Sequence, residues 1–451
     1  MSTKIYATSL AAAALTLGAG HAGATTVLAE KDNVQAIFTG FAEFDVIHDS
    51  TRSLKEVEGN GPIAKKGSYE GDNGRTQFSV RNSRLGFGLL TNRGNGWKGK
   101  GYIELDLLGY EPEVNAGVSE AGYYQNPTVR MRHAYLQAES NDGWNLIAGQ
   151  YWSLFGWQSD FVPSTVGYAP IPGVLYERTP QATVLKTWGA SDDANFTAGL
   201  SLSRPIQRES STPNVDAGLR FRLGNYRAAY TSTSGDVKAE PLSIALSGTS
   251  RQITRPKADA DGTYTKHKEK SKQASAVAVN VLIPLISISK ADDAGNSLAL
   301  QAEFTKGTGY ADELSGWTGN VAGVANGSTA PAAANLPNLD SGFVGYKAGA
   351  TDFTLVHLQT WNSSLQYHLP TGMDSWVTAG FAETWSDNVA DLGAAAGKTL
   401  YTRSQAAFGN VLHDFSKEIR AGLEYNWART RYVDNSHAQN SRVQVSTWYR
   451  F

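Results

Sequence analysis

No cysteine occurs among the 451 residues of the chain. Thiol catalysis, thiolate metal centres and disulfide staples are therefore excluded, and a protein of this size must draw its stability from another source. Long apolar runs are also missing. A membrane helix needs roughly 18 to 20 apolar residues. The longest candidate, "AVAVNVLIPLISI" from Ala276 to Ile288, is too short and carries Asn280 and Pro284. Charge of one sign is lacking too: the formal net charge of -2 offers no basic surface for a phosphate backbone, so no nucleic-acid partner is expected. The eight histidines are scattered without ligand spacing, so neither a metal nor a cofactor is expected.

What is present begins with the leader. "MSTKIYATSLAAAALTLGAGHAGA" joins the basic Lys4 to an Ala-rich apolar stretch and a small-x-small site at Ala22-Gly23-Ala24. That is the pattern of a cleaved secretory signal peptide over residues 1–24. Residues 25–33 form a short segment ahead of the first expected strand, and 34–451 carry one repeating pattern.

That pattern alternates every second residue. In "VQVSTWYRF", Val443, Val445, Thr447, Tyr449 and Phe451 share one parity, and Arg442, Gln444, Ser446, Trp448 and Arg450 the other. "QAIFTGFAEFDV" sets Ala36, Phe38, Ala42, Phe44 and Val46 against Gln35, Thr39, Glu43 and Asp45, with Ile37 and Phe41 as exceptions. "WKGKGYIELDLL" sets Ile103, Leu105 and Leu107 against Lys100, Tyr102, Glu104 and Asp106. "AGLRFRLG" and "IRAGLEYNW" repeat it. Such segments are strands with one wet and one apolar face. A two-sheet sandwich alternates as well. Two features favour a closed transmembrane barrel: the apolar parity tends to end in aromatic residues, and the connections alternate in length.

The short connections lie near 91–96, 140–143, 189–195, 289–296, 370–375 and 414–418, and most are rich in Gly, Asn and Asp. The long ones lie at about 48–75, 110–127, 156–180, 250–272, 310–350 and 387–402. Short turns on a periplasmic rim and long extracellular loops describe an all-β, antiparallel outer-membrane barrel of about sixteen strands. The stretch 213–250 leaves the count least certain, with fourteen or eighteen as alternatives. Closure requires "VQVSTWYRF" to pair with "QAIFTGFAEFDV", its apolar parity toward lipid.

"RNSRLGFGLLTN", "IELDLLG", "RMRHAYLQ", "WNLIAGQYWSLFG", "AGLEYNWARTR" and "SRVQVSTWYRF" resemble strands of Gram-negative trimeric porins, most of all the DcaP-like group associated with dicarboxylate uptake. That group carries a periplasmic coiled coil ahead of its barrel, whereas here the short stretch "TTVLAEKDNV" stands there. The resemblance implies a homotrimer in the outer membrane, in contact with lipid and lipopolysaccharide. It also implies that Tyr449 and the terminal Phe451 form the signal read by the barrel-assembly machinery. Finally, it implies that the loop Phe155–Thr179, after the fifth strand, folds into the channel as its narrowest point.

In that loop Pro163, Pro170 and Pro172 stiffen the chain, and Gly167 and Gly173 permit reversals. Asp160, Glu177, Arg178 and the rings of Trp157, Tyr168 and Tyr176 are placed to meet solute. The alternative is an extracellular loop packed on its neighbours. Basic residues recur at two-residue spacing in Lys98 and Lys100, Arg130 and Arg132, and Arg220 and Arg222. A charge at mid-bilayer costs roughly 2–4 kcal/mol, so the lumen is their tolerable side. Arg84 joins them, because Leu85, Phe87 and Leu89 take the lipid parity. Arg130 and Arg132 share parity with Ala134 and Leu136, a conflict that a bulge or a position beyond the lipid band would remove. A cationic wall of this kind favours anions. Glu43, Asp45, Glu104 and Asp106 also face inward, so a mixed-charge lumen without preference stays open.

"GNGWKG" matches G-x-G-x-x-G, but the strand "KGYIELDLL" follows instead of a helix, so it is a turn. His133, His357 and His413 sit in strand contexts and are expected as inward polar residues, not catalytic ones. The expectation is a passive diffusion channel for small hydrophilic solutes. A substrate-specific channel with a saturable site, or a barrel-based enzyme or adhesin, are the alternatives.

Overall fold

The computed structural model describes residues 25–54, 56, 61–92, 94, 96–109, 128–158, 160–167, 171–189, 193–205, 210–258, 264–288, 293–317, 344–347, 352–392 and 400–451. The expected leader and the long connection at 110–127 lie outside these residues. The chain opens on a hairpin of β1 (Thr25–Lys31) and β2 (Val34–Asp49). Its two linking residues, Asp32 and Asn33, both have positive φ (50° and 65°), as the two-residue turn matched to strand twist demands. β3 (Arg75–Ser79), β4 (Arg84–Asn92), β5 (Trp97–Asp106), β6 (Arg130–Ser140) and β7 (Trp144–Trp152) follow. Then come β8 (Arg178–Trp188), β9 (Ala194–Ser203), β10 (Asn214–Tyr230), β11 (Lys238–Ala258), β12 (Tyr264–Ile286) and β13 (Leu298–Thr308). β14 (Val344–Tyr346) and β15 (Phe353–Leu355) pair apart from the main sheet. β16 (His357–His368), β17 (Ser375–Trp385), β18 (Tyr401–Asp414), β19 (Ile419–Tyr432) and β20 (His437–Arg450) complete the wall.

Each strand of the wall pairs antiparallel with its sequence neighbour, and β20 pairs with β2 to close the ring. β3 and β4 pair with successive halves of β2 and make one stave between them. β1 pairs with β2 below the end of β20, so it prolongs that stave rather than adding one. The result is a closed barrel of sixteen antiparallel staves. Closure leaves the sheet no edge, and that is what allows a sheet to cross a bilayer.

Alternation divides inside from outside. In β20, Arg442, Gln444, Ser446, Trp448 and Arg450 are buried in the interior, while Val443, Val445 and Tyr449 are exposed on the outer face. Ile419, Leu423 and Tyr425 on β19 and Leu85, Phe87 and Leu89 on β4 continue the apolar exterior. Ile37 and Phe41, the two exceptions to the parity of β2, are buried on the inner side. Ion pairs support the interior. Arg442 clasps Asp49 across the closing seam with bonds of 2.9 and 2.8 Å.

The seam runs to the last residue. Phe451 N–H donates to the Gly40 carbonyl and Gly40 N–H to the Phe451 carbonyl, both at 3.0 Å. The Phe451 ring stacks on Phe38 at 4.9 Å. Deleting Phe451 leaves both backbone groups of Gly40 without their partners, a loss of about 1 kcal/mol per bond. Deleting it, or making Phe451→Asp, is expected to lower folded, heat-modifiable protein in the outer membrane several-fold. Undiminished folded protein from both variants would show that the seam does not depend on this residue.

The turns at 93–96, 141–143, 189–193, 231–237, 287–297, 369–374 and 415–418 share one rim. The opposite rim carries 50–74, 107–129, 153–177, 204–213, 259–263, 309–356, 386–400 and 433–436. Two expectations are corrected. The long loop placed at 250–272 is mostly strand, because β11 and β12 continue through it and leave only 259–263 as connection. The stretch Thr265–Lys272 is polar at every position, so it carries no two-residue signal. The uncertain stretch 213–250 is one hairpin, β10–β11, whose register slips between Leu223 and Arg227. A slip of register breaks the parity by which a strand is counted.

Candidate functional site: the lumen and its inward loop

The loop at 153–177, between β7 and β8, runs inside the barrel. It leaves β7 through a short 3-10 turn, Phe155–Trp157, in which Gly156 adopts a φ of 78° against Leu175. Gly156 N–H donates to Ser247 Oγ of β11 at 2.7 Å. Farther on, Val166 N–H donates to Glu424 of β19 at 2.7 Å, and Asn410 of β18 donates to the Ser164 carbonyl at 2.8 Å. On the return, Leu175 N–H meets Glu303 of β13 at 3.0 Å. Gly173, at a φ of 78°, passes so close to Thr384 and Thr360 that a side chain there would collide with the wall. Tyr168 and Pro170, both named from the sequence, lie outside the described residues.

Two cavities flank this loop. The larger, of ≈340 Å³, is lined by Lys98, Glu139, Tyr151, Asp160, Arg220 and Arg222 among others. The smaller, of ≈90 Å³, lies between Arg84, Arg132 and Trp152 on the wall and residues 162–167 and Tyr176 of the loop.

The basic residues divide between them. Arg220 and Arg222 both bind Asp160 of the loop, and the Arg220 guanidinium also covers Trp157 at 4.4 Å. These arginines hold the loop instead of facing it across open space. Lys98 lines the larger cavity, and Lys100 lies over the rings of Tyr102 and Tyr135 at 4.6 and 5.6 Å. Tyr102 shares a 2.6 Å hydrogen bond with Thr39 and lies 3.4 Å from Glu104.

Arg132 donates to Glu104 at 2.5 Å and to Asp106 at 3.1 Å, and Arg130 grips Asp106 at 3.0 and 2.6 Å. Their parity conflict is resolved by a bulge. Opposite Glu104 and Leu105 the register of β6 jumps from His133 to Met131, leaving Arg132 as the extra residue. Arg132 and His133 are then both buried, and Leu136 returns to the outside. A bulge re-aims side chains in this way.

Arg84 and Arg178 differ from the others. Among the described residues neither forms an ion pair with a carboxylate, although Glu104 and Asp106 lie near enough to act on Arg84. Arg84 donates only to Asn82, at 3.4 Å, and lies over Phe41 at 5.2 Å. Arg178 stacks on Trp152 at 4.6 Å and on Tyr176 at 5.2 Å. Tyr176 packs edge-on against Trp152 at 4.7 Å, with its hydroxyl 3.5 Å from Arg132. Burial pushes the Tyr176 phenol up, but Arg132, Arg178 and Arg84 outweigh it and bring the group down to about 7. Three guanidiniums thus converge on one ring at the loop's return.

Glu177 turns away from them. It forms a carboxylate cluster with Asp312 and Glu313, whose oxygens lie within 4.8 Å of one another. Burial first, then the charge of Asp312, raises Glu177 to about 7. Burial and then Glu177 raise Glu313 as well. Arg251 offsets the cluster, reaching Asp312 at 2.5 and 2.6 Å and Glu313 at 2.6 Å. Arg251 carries no signal in the sequence, because it falls in a stretch, 250–272, that reads as a loop. Trp152 carried no signal that distinguished it from other aromatic strand ends.

Of the three histidines, only His133 faces inward. It packs among Tyr135, Tyr151 and Trp152. His357 is exposed beside Asp387 at 3.1 Å, and His413 bonds Ser375 at 2.8 Å, out of parity with the buried Asn410 and Leu412. At the chain end Tyr449 is exposed on the outer face and Phe451 lies in the seam.

A closed sixteen-stave barrel with a polar interior, short turns on one rim and a loop folded inside is the fold of the outer-membrane porins. The structure is similar to the outer membrane channel DcaP of Acinetobacter baumannii, with a TM-score of 0.61 and 17% identity over 95% of this chain and 100% of that one. It is also similar to OmpF of Salmonella typhi, solved in complex with daunomycin. There the TM-score is 0.50 and the identity 13%, over 94% of this chain and 99% of that one. No family model and no curated protein sequence matches the chain.

Proposed function

We propose that this protein is an outer-membrane diffusion channel for small hydrophilic solutes that favours anions, small carboxylates among them. The observation that carries the preference is the pair of guanidiniums beside the inward loop, Arg84 and Arg178, that stack on aromatic rings and form no ion pair with a carboxylate of the described residues. Several other cations of the lumen are matched: Arg132 and Arg130 by Glu104 and Asp106, Arg220 and Arg222 by Asp160, Arg442 by Asp49. A fixed charge that is not cancelled locally sets the sign of the field in a narrow passage. The mechanism is passive: solutes run down their gradient, selected by size at the loop and by that field.

On this reading the leader is removed on export, the barrel-assembly machinery inserts the mature chain, and three copies assemble. No catalytic group is assigned, so purified protein should show no hydrolytic turnover. The deciding experiment is the reversal potential of the purified protein in a planar bilayer under a salt gradient. The expected sign is that of a channel passing chloride more readily than the alkali cation. A cation-selective sign, or none, would remove the anion preference and leave the barrel intact.

A further inference from the structure

The turn at 231–237, between β10 and β11, belongs by topology to the rim of short turns, yet it does not stay there. Its contacts lie across the barrel. Thr231 N–H donates to Gln366 of β16 at 2.9 Å, and Gln366 returns a bond to the Thr231 carbonyl at 3.1 Å. Arg420 of β19 donates to the carbonyls of Thr233 and Gly235 at 2.7 and 2.8 Å. β10 and β11 are the eighth and ninth staves and β19 the fifteenth, so the turn spans nearly the full diameter. It also meets the inward loop: the Thr233 hydroxyl donates to the Thr165 carbonyl, and Tyr230 Oη to the Val162 carbonyl at 2.7 Å.

Several features drive this segment inward. β10 slips register between Leu223 and Arg227, which re-aims the chain beyond it. Ala228, Ala229 and Tyr230 are then buried, and Tyr230 packs with Trp157 and Phe161 of the loop. Arg420 is fully buried and is held by Asp414 through bonds of 2.6 and 2.8 Å, so its two bonds to the turn come from a fixed donor. Ser232, Thr233 and Ser234 line the smaller cavity opposite Arg84 and Arg132, and all three remain partly exposed.

We propose that the periplasmic turn 231–237 is a second constriction element, entering from the rim opposite the inward loop, whose Ser232 and Ser234 hydroxyls face Arg84 across the passage and bind the oxygens of small anionic solutes as they cross. The hydroxyls supply neutral donors where the wall supplies charge, so a carboxylate is held from both sides without being trapped. The anion part rests on the preference proposed above; the placement of the turn does not.

Because the chain has no native cysteine, the turn can be probed directly. Ser234→Cys, reconstituted in a planar bilayer, is treated with a negatively and, separately, a positively charged methanethiosulfonate. Either adduct should cut single-channel conductance by about half or more, and the negative one should cut anion current most. A second variant, in which residues 231–237 become an Asn-Gly turn, should raise conductance about twofold or more. A cysteine labelled to completion with unchanged current, or a shortened turn with unchanged conductance, would overturn the placement. If both reagents block equally and the unmodified channel lacks anion preference, the second constriction stands and the anion-binding role falls.

Discussion

Excising residues 163–171 is expected to raise single-channel conductance several-fold and to relax the size limit for uncharged solutes. These residues carry Pro163, Thr165, Val166, Gly167 and Ile171, which form the loop side of the smaller cavity. Their hydrogen bonds to the far wall are Val166 N–H on Glu424 and Asn410 on the Ser164 carbonyl, and Val166 and Ile171 also pack in clusters with Leu412 and Trp448 and with Phe408. Removing the segment breaks those bonds but none within the sixteen-stave ladder, so the barrel should still assemble. Glu424 keeps Asn410 as a partner at 3.0 Å. The measurement is conductance in a planar bilayer, with liposome swelling by sugars of increasing size as the check on the cut-off. Unchanged conductance from a folded, loop-shortened channel would mean that the loop does not limit flow. The turn at 231–237 remains in this variant, so passage should widen without becoming that of an empty barrel.

The second large effect concerns charge. Replacing Arg84 and Arg178 together by Gln should shift the reversal potential toward cations, with conductance of the same order. A unit charge 4 Å from an ion is worth about 1 kcal/mol in bulk water and about 4 kcal/mol at an effective dielectric of 20. The sign is opposite for anion and cation, so each lost guanidinium should lower the anion-to-cation ratio roughly tenfold or more. Salt screens little over such spans, which are short against a Debye length of about 8–10 Å. These two arginines suit the test because neither is tied to a carboxylate of the described residues. Arg132 does not: its removal would strand Glu104 and leave Asp106 to Arg130 alone, and breaking a buried pair costs about 3–5 kcal/mol. Arg220 and Arg222 would report mainly on the loop, since both hold Asp160. An unchanged reversal potential in the double variant would place the selecting charge elsewhere.

How far the sequence could be read follows from the range of each interaction. Strand parity is local, so β2, β4, β19 and β20 were legible with their faces, and so was the pairing of β20 with β2. Arg130 and Arg132 were legible as inward residues only with a bulge supplied, because a bulge changes the parity it would be inferred from. β11 and β12 carry no readable period beyond residue 250, where polar residues occupy both parities. The inward loop was recognised by resemblance and by its prolines and glycines, but its partners could not be named. Glu177 was expected beside Arg178 at the passage. It lies instead with Asp312 and Glu313, residues of a connection that carries no periodic signal.

The sequence by itself determined that the chain makes a closed, alternating barrel with an apolar exterior and a polar lumen, because a period of two repeated along so long a chain, with short and long connections in alternation, admits few other folds. It also determined that positive charge would line the lumen, since the lipid face cannot hold it. Only the tertiary structure decided which of those charges are cancelled and which face solute. It alone showed that a turn from the opposite rim joins the loop in the lumen. The reason is distance along the chain. Val166 is held by Glu424, and Thr231 by Gln366, 258 and 135 positions away. Such contacts exist only once sixteen staves have closed and brought both walls within reach of a single side chain.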